Sequence, residues 1–407
     1  MTHDTDVLIA GAGLNGGTLA LALAGAGMRV TLVDPVPSST RGDDGFDGRS
    51  YAMSHASVNV LRALGLWSSL AEGAQPILHI KVADGRPGEA PSPFVMEFDH
   101  GEIEEGPMGW MVEDRHLRPA LVDAIAGAGI ELIEGRRIIA QDVAEPGIEV
   151  TLDDGTRLTS ALLVGADGRT SGTAARAGIR HLRWSYGQTS LVAAIAHERP
   201  HDGIAHQLFL PAGPLAILPL KGDRSSIVWT ETSSDAARIT AMGDAAFLDH
   251  LRPRFGSFLG AIDLAGARFS YPLGLSLAHH FVASRVALLG DAAHAVHPLA
   301  GQGLNAGLKD VATLAEVLTD ALRRGEDIGR DDVLARYQQW RRFDAVQLAV
   351  ATDAFNRLFS NDRPGLRLLR DMGLGLVGAL PGLRRAFIRE AAGLTGDRPR
   401  LSQGRAL

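Results

Sequence analysis

The chain has 407 residues, 45% of them hydrophobic, more than one core of ~250 to 300 residues holds, so a soluble protein of two domains is expected. A formal charge of −7 without any acidic or basic block excludes the electrostatic footprint of a nucleic-acid binder. Zero cysteines exclude disulfides, thiolate metal sites and cysteine nucleophiles, fit a reducing compartment, and leave redox work to a bound cofactor.

Met1-Thr2-His3-Asp4-Thr5-Asp6 carries acids where a signal peptide has basic residues, so cytoplasmic localisation is expected. The longest apolar runs, such as residues 19–26 and 286–289, fall short of the ~18 that span a bilayer, which limits membrane contact to the periphery.

Val7-Leu8-Ile9-Ala10 reads as a buried parallel strand, and Gly11-Ala12-Gly13-Leu14-Asn15-Gly16 follows at once. Residues 15–27 read as a helix, residues 29–33 as a second strand, and Asp34 stands where a ribose-binding carboxylate belongs in a dinucleotide fold. In that fold Gly11 permits the tight turn, Gly13 admits a pyrophosphate, and Gly16 allows close helix packing. The glycines at 373, 375 and 378 repeat the pattern without a preceding strand or a later acid and are set aside. Asp153-Asp154-Gly155-Thr156 lies between β-rich runs and predicts a hairpin feeding the strand 161–164. Gly165-Ala166-Asp167-Gly168 then occupies a strand end, the crevice position of an α/β sheet.

Residues 75–107 and 178–271 interrupt this grammar. In the second stretch, alternating residues at 191–196, 207–211, 215–220 and 226–230 predict an antiparallel sheet. Its apolar segment 209–219 reads as sheet core. The strand 285–289 ends in Gly290-Asp291. Gly301-Gln302-Gly303-Leu304-Asn305 then opens a helix through Leu318 whose bare N–H groups can stabilise negative charge. His294 and His297, three apart, lack the further ligands of a metal site, so no metal is expected and they are read as hydrogen-bonding groups. At 363–394, Leu366, Leu369, Met372, Leu376, Leu380, Leu383 and Phe387 recur at helical spacing among Arg363, Arg367, Arg370, Arg384, Arg385 and Arg389, with Pro381 as a break. That stripe suits either packing on the protein itself or docking on a membrane surface.

The ordered triple of GxGxxG, mid-chain Asp-Gly and late Gly-Asp motifs resembles the class A flavoprotein monooxygenases, the group of para-hydroxybenzoate hydroxylase, over nearly the whole chain. Asp47-Gly48-Arg49-Ser50-Tyr51-Ala52-Met53 and the stretch from His294 to Asn305 are most similar to ubiquinone-biosynthesis hydroxylases of the UbiH/UbiF/VisC type. The resemblance implies an α/β fold: a Rossmann-like FAD-binding domain (1–74, 108–177, 272–355), an inserted antiparallel-sheet substrate domain (75–107, 178–271) and a C-terminal helical segment (356–407). It implies that Asp34 holds the adenosine ribose and that Arg49 and Arg115 contact the cofactor near its phosphates and ribityl chain. Asp167, with Gly168, and Asp291, with Gly290, would bind near pyrophosphate and ribitol. Pro298, Gly301, Gln302, Gly303 and Asn305 would line the isoalloxazine. For segment 209–219 the resemblance implies an alternative to sheet core, a surface facing substrate.

The resemblance further implies that NAD(P)H reduces FAD and that an oxygen adduct at flavin C4a hydroxylates the ring of a polyprenylated phenol in ubiquinone synthesis. A separate protein donor is the alternative to NAD(P)H, and no catalytic acid or base is identifiable. Partners would be the phenol, dioxygen, a biosynthetic complex and a peripheral membrane surface, with no nucleic acid. Alternatives are the same fold acting on another aromatic or polyprenyl substrate, and a flavin-binding scaffold subunit. The five tryptophans do not form the Trp-x-Trp pattern of flavin halogenases.

Overall fold

In the computed structural model, residues 3–38, 48–88, 95–298, 301–360 and 380–407 are described. Asp47, Leu299, Ala300, the second glycine pattern at 373–378 and the tail positions from Arg363 to Leu376 lie outside them.

The apolar run at Val7 forms the strand Thr5–Ala10, with Val7, Leu8 and Ile9 fully buried. The central strands of its sheet are buried on both faces, with Val7, Leu8, Ile9, Leu162, Leu163 and Val164 fully covered, so they are continuous apolar runs rather than alternating ones. The spatial order is Val286–Leu288, Arg157–Gly165, Thr5–Ala10, Val30–Asp34, Glu131–Glu134, all parallel. In register, Ala10 faces Gly165 and Val33, and Gly165 faces Leu288, so the carboxyl ends of four strands reach one edge. The three motifs therefore start at that edge.

The hairpin forms as expected, with Gly147–Leu152 antiparallel to Arg157–Gly165 and Gly155 at φ +88° in its turn. The sequence reading separated this hairpin from the strand 161–164, whereas one unbroken strand serves both. Its first half pairs with the hairpin and its second half joins the parallel sheet. Ser160, between Thr159 and Ala161, is buried and paired with both Ile148 and Thr5, so it does not divide the strand.

A second sheet of nine strands carries the predicted antiparallel runs as His181–His197, Ile204–Leu210, Gly213–Leu220 and Arg224–Thr232. Phe269–Ala278 and His294–Ala295 extend it on one side. On the other side His79–Asp84 joins parallel to Ile204–Leu210, with Met96–Asp99 beyond. Leu215 and Ile217 point into an outer core with Trp229, Phe247 and Phe255, roofed by Ser233–Thr240 and Asp244–Phe255. Phe209, Leu218 and Leu220 point the other way, into an inner core with Ile77, Phe98, Met108 and Phe359. The period of two thus divides segment 209–219 between sheet core and an inward face.

Ser50–Met53, Gly109–Glu113 and Gln75–Ile77 form a small third sheet. Gln302–Arg323 packs on both Leu14–Gly25 and the long helix Asp331–Phe359. Pro381 opens the helix Pro381–Ala391, which buries Ile388 in the inner core. Two of the arginines read as a basic face are used internally, Arg384 by Glu102 at 2.8 Å and Arg389 by Glu105 at 2.6 Å. The last residues return to the helix His55–Ala63: the Ala56 N–H donates to the Ala392 carbonyl, and Leu401 is buried in one cluster with Val58 and Leu61.

Candidate functional site

Gly11 has φ +103°, and a Cβ there would stand 2.5 Å from the Ala166 carbonyl oxygen. A Cβ on Gly16 would stand 1.9 Å from the Gly11 oxygen. Only glycine lets the first and second motifs approach so closely. Gly13 differs: nothing lies within 4 Å of its Cβ position. It is the N-cap of Leu14–Gly25, which has no side-chain cap and no acidic residue in its first turn. Free N–H groups of a helix start, facing open space, suit an anion. Asp34 lies beside this loop, 5% exposed, its carboxylate accepting the Ala12 N–H at 2.6 Å and the Val36 N–H at 2.8 Å.

In the second motif the Asp167 carboxylate accepts the Ser171 hydroxyl at 2.5 Å and both the N–H and hydroxyl of Thr173 at 2.9 Å. It shapes the loop around Gly168 and the short helix Gly172–Arg176. Asp291 of the third motif stays half exposed, 3.4 Å from Arg169.

Asn15 ties the first motif to the third. Its amide nitrogen lies 2.3 Å from the Cβ positions of both Gly290 and Gly307, so both must be glycine for Asn15 to fit between them. Beneath, Asp310 is fully buried and accepts the Gly290 N–H at 2.9 Å, His294 Nε2 at 2.6 Å and Arg341 Nε at 2.7 Å. Burial alone would raise its pKa, but His294 and Arg341 outweigh that and hold it down to about 2. The motifs contain Asn15 and Asp310 without any local sign of these jobs. Only the fold reveals which distant residues they meet.

Gly301, at φ +65°, caps Gln302–Arg323, again without a side-chain cap or an acidic first turn. The space at Gly303 is open. Among the other helices, several start on a side chain that accepts from a backbone N–H, as at Ser54, Ser171 and Thr232, whereas Asp244–Phe255, after Gly243, lacks such a cap but carries an acidic residue in its first turn. Asn305 holds this helix start against the Arg49 segment. Its side-chain oxygen accepts from the Ser54 N–H at 3.0 Å and the Ser57 hydroxyl at 2.6 Å, and its amide donates to the carbonyls of Ala52 and Gly301. Pro298 accepts the Gly301 N–H at 3.2 Å. Arg49 lies 3.4 Å from Asp114 and over the Phe269 ring, and Arg115 lies 2.6 Å from Glu113. Both arginines sit where Ser50–Met53 meets Gly109–Glu113.

The two histidines of the third motif diverge: His294 is taken by Asp310, whereas His297 faces Tyr186. One trio of potential metal ligands occurs among the described residues, half-buried His79, Asp99 and His100 at an edge of the large sheet, which sequence spacing did not suggest.

Two glycine-started helices that pack on each other, neither with a side-chain cap, can hold an extended dianionic ligand. The chain matches the FAD binding domain family over residues 4–352. It is 44% identical over 403 residues to ubiquinone hydroxylase UbiL of Rhodospirillum rubrum, covering 98% of this chain and 92% of that one. It is 33% identical over 393 residues to 3-demethoxyubiquinol 3-hydroxylase of Escherichia coli, covering 96% and 99%. Among solved structures, p-nitrophenol 4-monooxygenase PnpA from Pseudomonas putida shares the fold with a TM-score of 0.80 at 19% identity, over 98% of this chain and 100% of that one.

Proposed function

The chain belongs to the FAD binding domain family and, within it, to the ubiquinone-biosynthesis hydroxylases; on that premise it is a FAD-dependent monooxygenase, and we propose that it hydroxylates the ring of a polyprenylated phenol. The observation that carries this reading is the pair of glycine-started helices at Gly13 and Gly301 that pack on each other and have neither a side-chain cap nor an acidic first turn, either of which would compete with an anionic ligand.

In this reading Gly11, Gly13 and Gly16 take the pyrophosphate and Asp34 the adenosine ribose. Arg49, Arg115, Asp167, Gly168, Gly290 and Asp291 lie along the phosphates and ribityl chain. Pro298, Gly301, Gln302, Gly303 and Asn305 line the ring system. The chemistry supplied by bound FAD is acceptance of two electrons from NAD(P)H and delivery of one dioxygen atom to the phenol ring. The chain's own part is electrostatic and steric. The positive end of the helix dipole after Gly301 stabilises negative charge on the ring system. The inner core, with Phe209, Leu218 and Leu220, excludes water and supplies apolar surface for an isoprenoid.

NAD(P)H visits transiently in this reading, without a nucleotide-binding domain of its own. No helix among the described residues is long and apolar enough to cross a membrane. Peripheral membrane contact is supported by Phe343 at 66% and Val350 at 63% exposure on Asp331–Phe359, with Phe387 exposed on the next helix. Membership of a biosynthetic complex remains part of the proposal.

The test incubates purified protein with FAD, NADH or NADPH, isotopically labelled dioxygen and a short-chain prenylphenol. The expected product carries one labelled oxygen on the ring. Nicotinamide oxidation that the phenol neither accelerates nor couples to ring labelling would defeat the reading.

A further inference from the structure

His297 is 1% exposed, and neither of its ring nitrogens has a hydrogen-bond partner. The indole N–H of Trp184 and the hydroxyl of Tyr186 are likewise buried with no partner at good hydrogen-bond geometry, although the hydroxyl lies close enough to Asp353 and to Trp184 to interact weakly with both. The three side chains belong to one cluster. His297 and Tyr186 meet edge to face with ring centroids 5.3 Å apart, and Trp184 and Tyr186 pack with Leu275, Val296, Ala349 and Leu348. A buried polar atom without a partner loses its hydration with nothing to offset the loss, and folded proteins keep few such atoms.

The backbone aims these groups. Along His181–His197, Ser185 pairs with Gly274 but Gln188 with Leu273, so Tyr186 and Gly187 are extra residues in a bulge. Bulges redirect a side chain at the expense of ladder hydrogen bonds. From the other side, His297 directly precedes Pro298, whose carbonyl is bonded to the Gly301 cap. The cluster therefore adjoins the segment that lines the flavin ring in the proposed function, on which this inference rests.

Burial pushes the His297 pKa down to about 4, so its ring is neutral near pH 7 and offers one N–H donor and one bare acceptor nitrogen. Burial, and then Asp353, push the Tyr186 hydroxyl up to about 12, so it keeps its proton. The nearby cation, Arg357 over the Trp184 ring, is already engaged by Asp353 at 3.0 Å. A carboxylate ligand would thus meet an acidic neighbour and apolar walls, whereas a neutral hydroxyl on an apolar body finds both a donor and an acceptor.

We propose that His297 and Tyr186 form the hydroxyl-binding end of the substrate site, where an imidazole nitrogen of His297 accepts the phenolic O–H and Tyr186 donates to the phenol oxygen. A ring pinned there lies beside Pro298 and the start of Gln302–Arg323. Electron density drawn onto the phenol oxygen by the His297 hydrogen bond also favours electrophilic attack on the ring.

The experiment titrates FAD-loaded protein with 2-geranylphenol, with geranylbenzene, which lacks the hydroxyl, and with the methyl ether, in which a methyl replaces the hydroxyl hydrogen, and follows flavin absorbance. The wild type is expected to bind the phenol about tenfold or more tightly than either analogue, the discrimination typical of a site built around a hydroxyl. In His297→Leu the phenol should weaken to the level of geranylbenzene while geranylbenzene binding stays unchanged. Its thermal midpoint should hold or rise, because an apolar group replaces an unpaired polar one. His297→Gln should regain part of the preference, and Tyr186→Phe should lose part of it. A phenol preference that survives in both His297→Leu and Tyr186→Phe overturns the assignment, as does equal wild-type affinity for the phenol and geranylbenzene. Failure of the wild type to bind any of the three ligands overturns the prenylphenol substrate itself, and this site with it.

Discussion

Asn15 shows how one side chain can decide the placement of three segments. Its amide occupies space that a methyl group on Gly290 or Gly307 would fill, and the first glycine turn, the Gly-Asp loop and the long helix all meet there. Gly307→Ala is therefore expected to cost about 1–3 kcal/mol, the usual range for overpacking. Asn15→Ala in the same chain should return most of that stability. Urea midpoints of both single variants and the double variant measure the coupling, and strictly additive losses would sink the account. The glycines of the first motif separate fold from ligand in the same manner. Gly16→Ala collides with the Gly11 carbonyl and should lower the thermal midpoint and flavin content together. Gly13→Asp enters open space but places a carboxylate at a helix start meant for a phosphate, so it should lose flavin with a nearly unchanged midpoint. Asp291→Ala, half exposed, should behave like Gly13→Asp. Normal flavin absorbance in both would refute the pocket.

At the scale of elements, the helix Gln302–Arg323 holds the Gly290 loop through the buried Asp310 carboxylate. Because Asp310 is held at about 2, below the ordinary carboxylate value of 3.8, its folded form binds the proton less well than the unfolded chain does. Its contribution is complete above pH ~4 and fades as pH falls toward ~2. Asp310→Asn leaves Arg341 buried beside a neutral amide and should cost about 3–5 kcal/mol at neutral pH. It should also flatten the decline of the urea midpoint between pH 4 and pH 2, and an unchanged acid slope would assign that decline to other carboxylates. The helix itself was legible in the sequence from Gly301 to Leu318, as were the strands at Val7 and Leu288. Each is a long periodic or wholly apolar run closed by glycine. The Asp310 network was not legible, since a residue at 341 gives no local sign that it will reach a carboxylate on another helix.

Across the whole molecule, the motifs predicted the nucleotide fold and its ligand class because they are spaced by the sheet's own βα grammar. The partners of the tail are long-range and escaped the sequence. Arg384 and Arg389, read there as part of a basic face, belong to Glu102 and Glu105, some 280 residues away. This changes how membrane contact must be tested. Removing everything after Ser360 would also take Ile388 and Leu401 out of buried positions, so lost liposome binding could not be told from lost fold. Phe343 and Val350 are better probes, since both lie exposed on Asp331–Phe359 and carry little fold stability. Phe343→Ser with Val350→Ser should leave the thermal midpoint and flavin content within error and reduce co-sedimentation with anionic liposomes severalfold. The physical basis is the apolar area each side chain would bury at the interface, at roughly 25 cal/mol per Å². Binding that persists in this double variant, at unchanged salt, would mean that another surface meets the membrane. Absence of liposome binding in the wild type would mean that substrate reaches the enzyme without membrane docking, and the exposed face of Asp331–Phe359 would then be the first place to look for a protein partner.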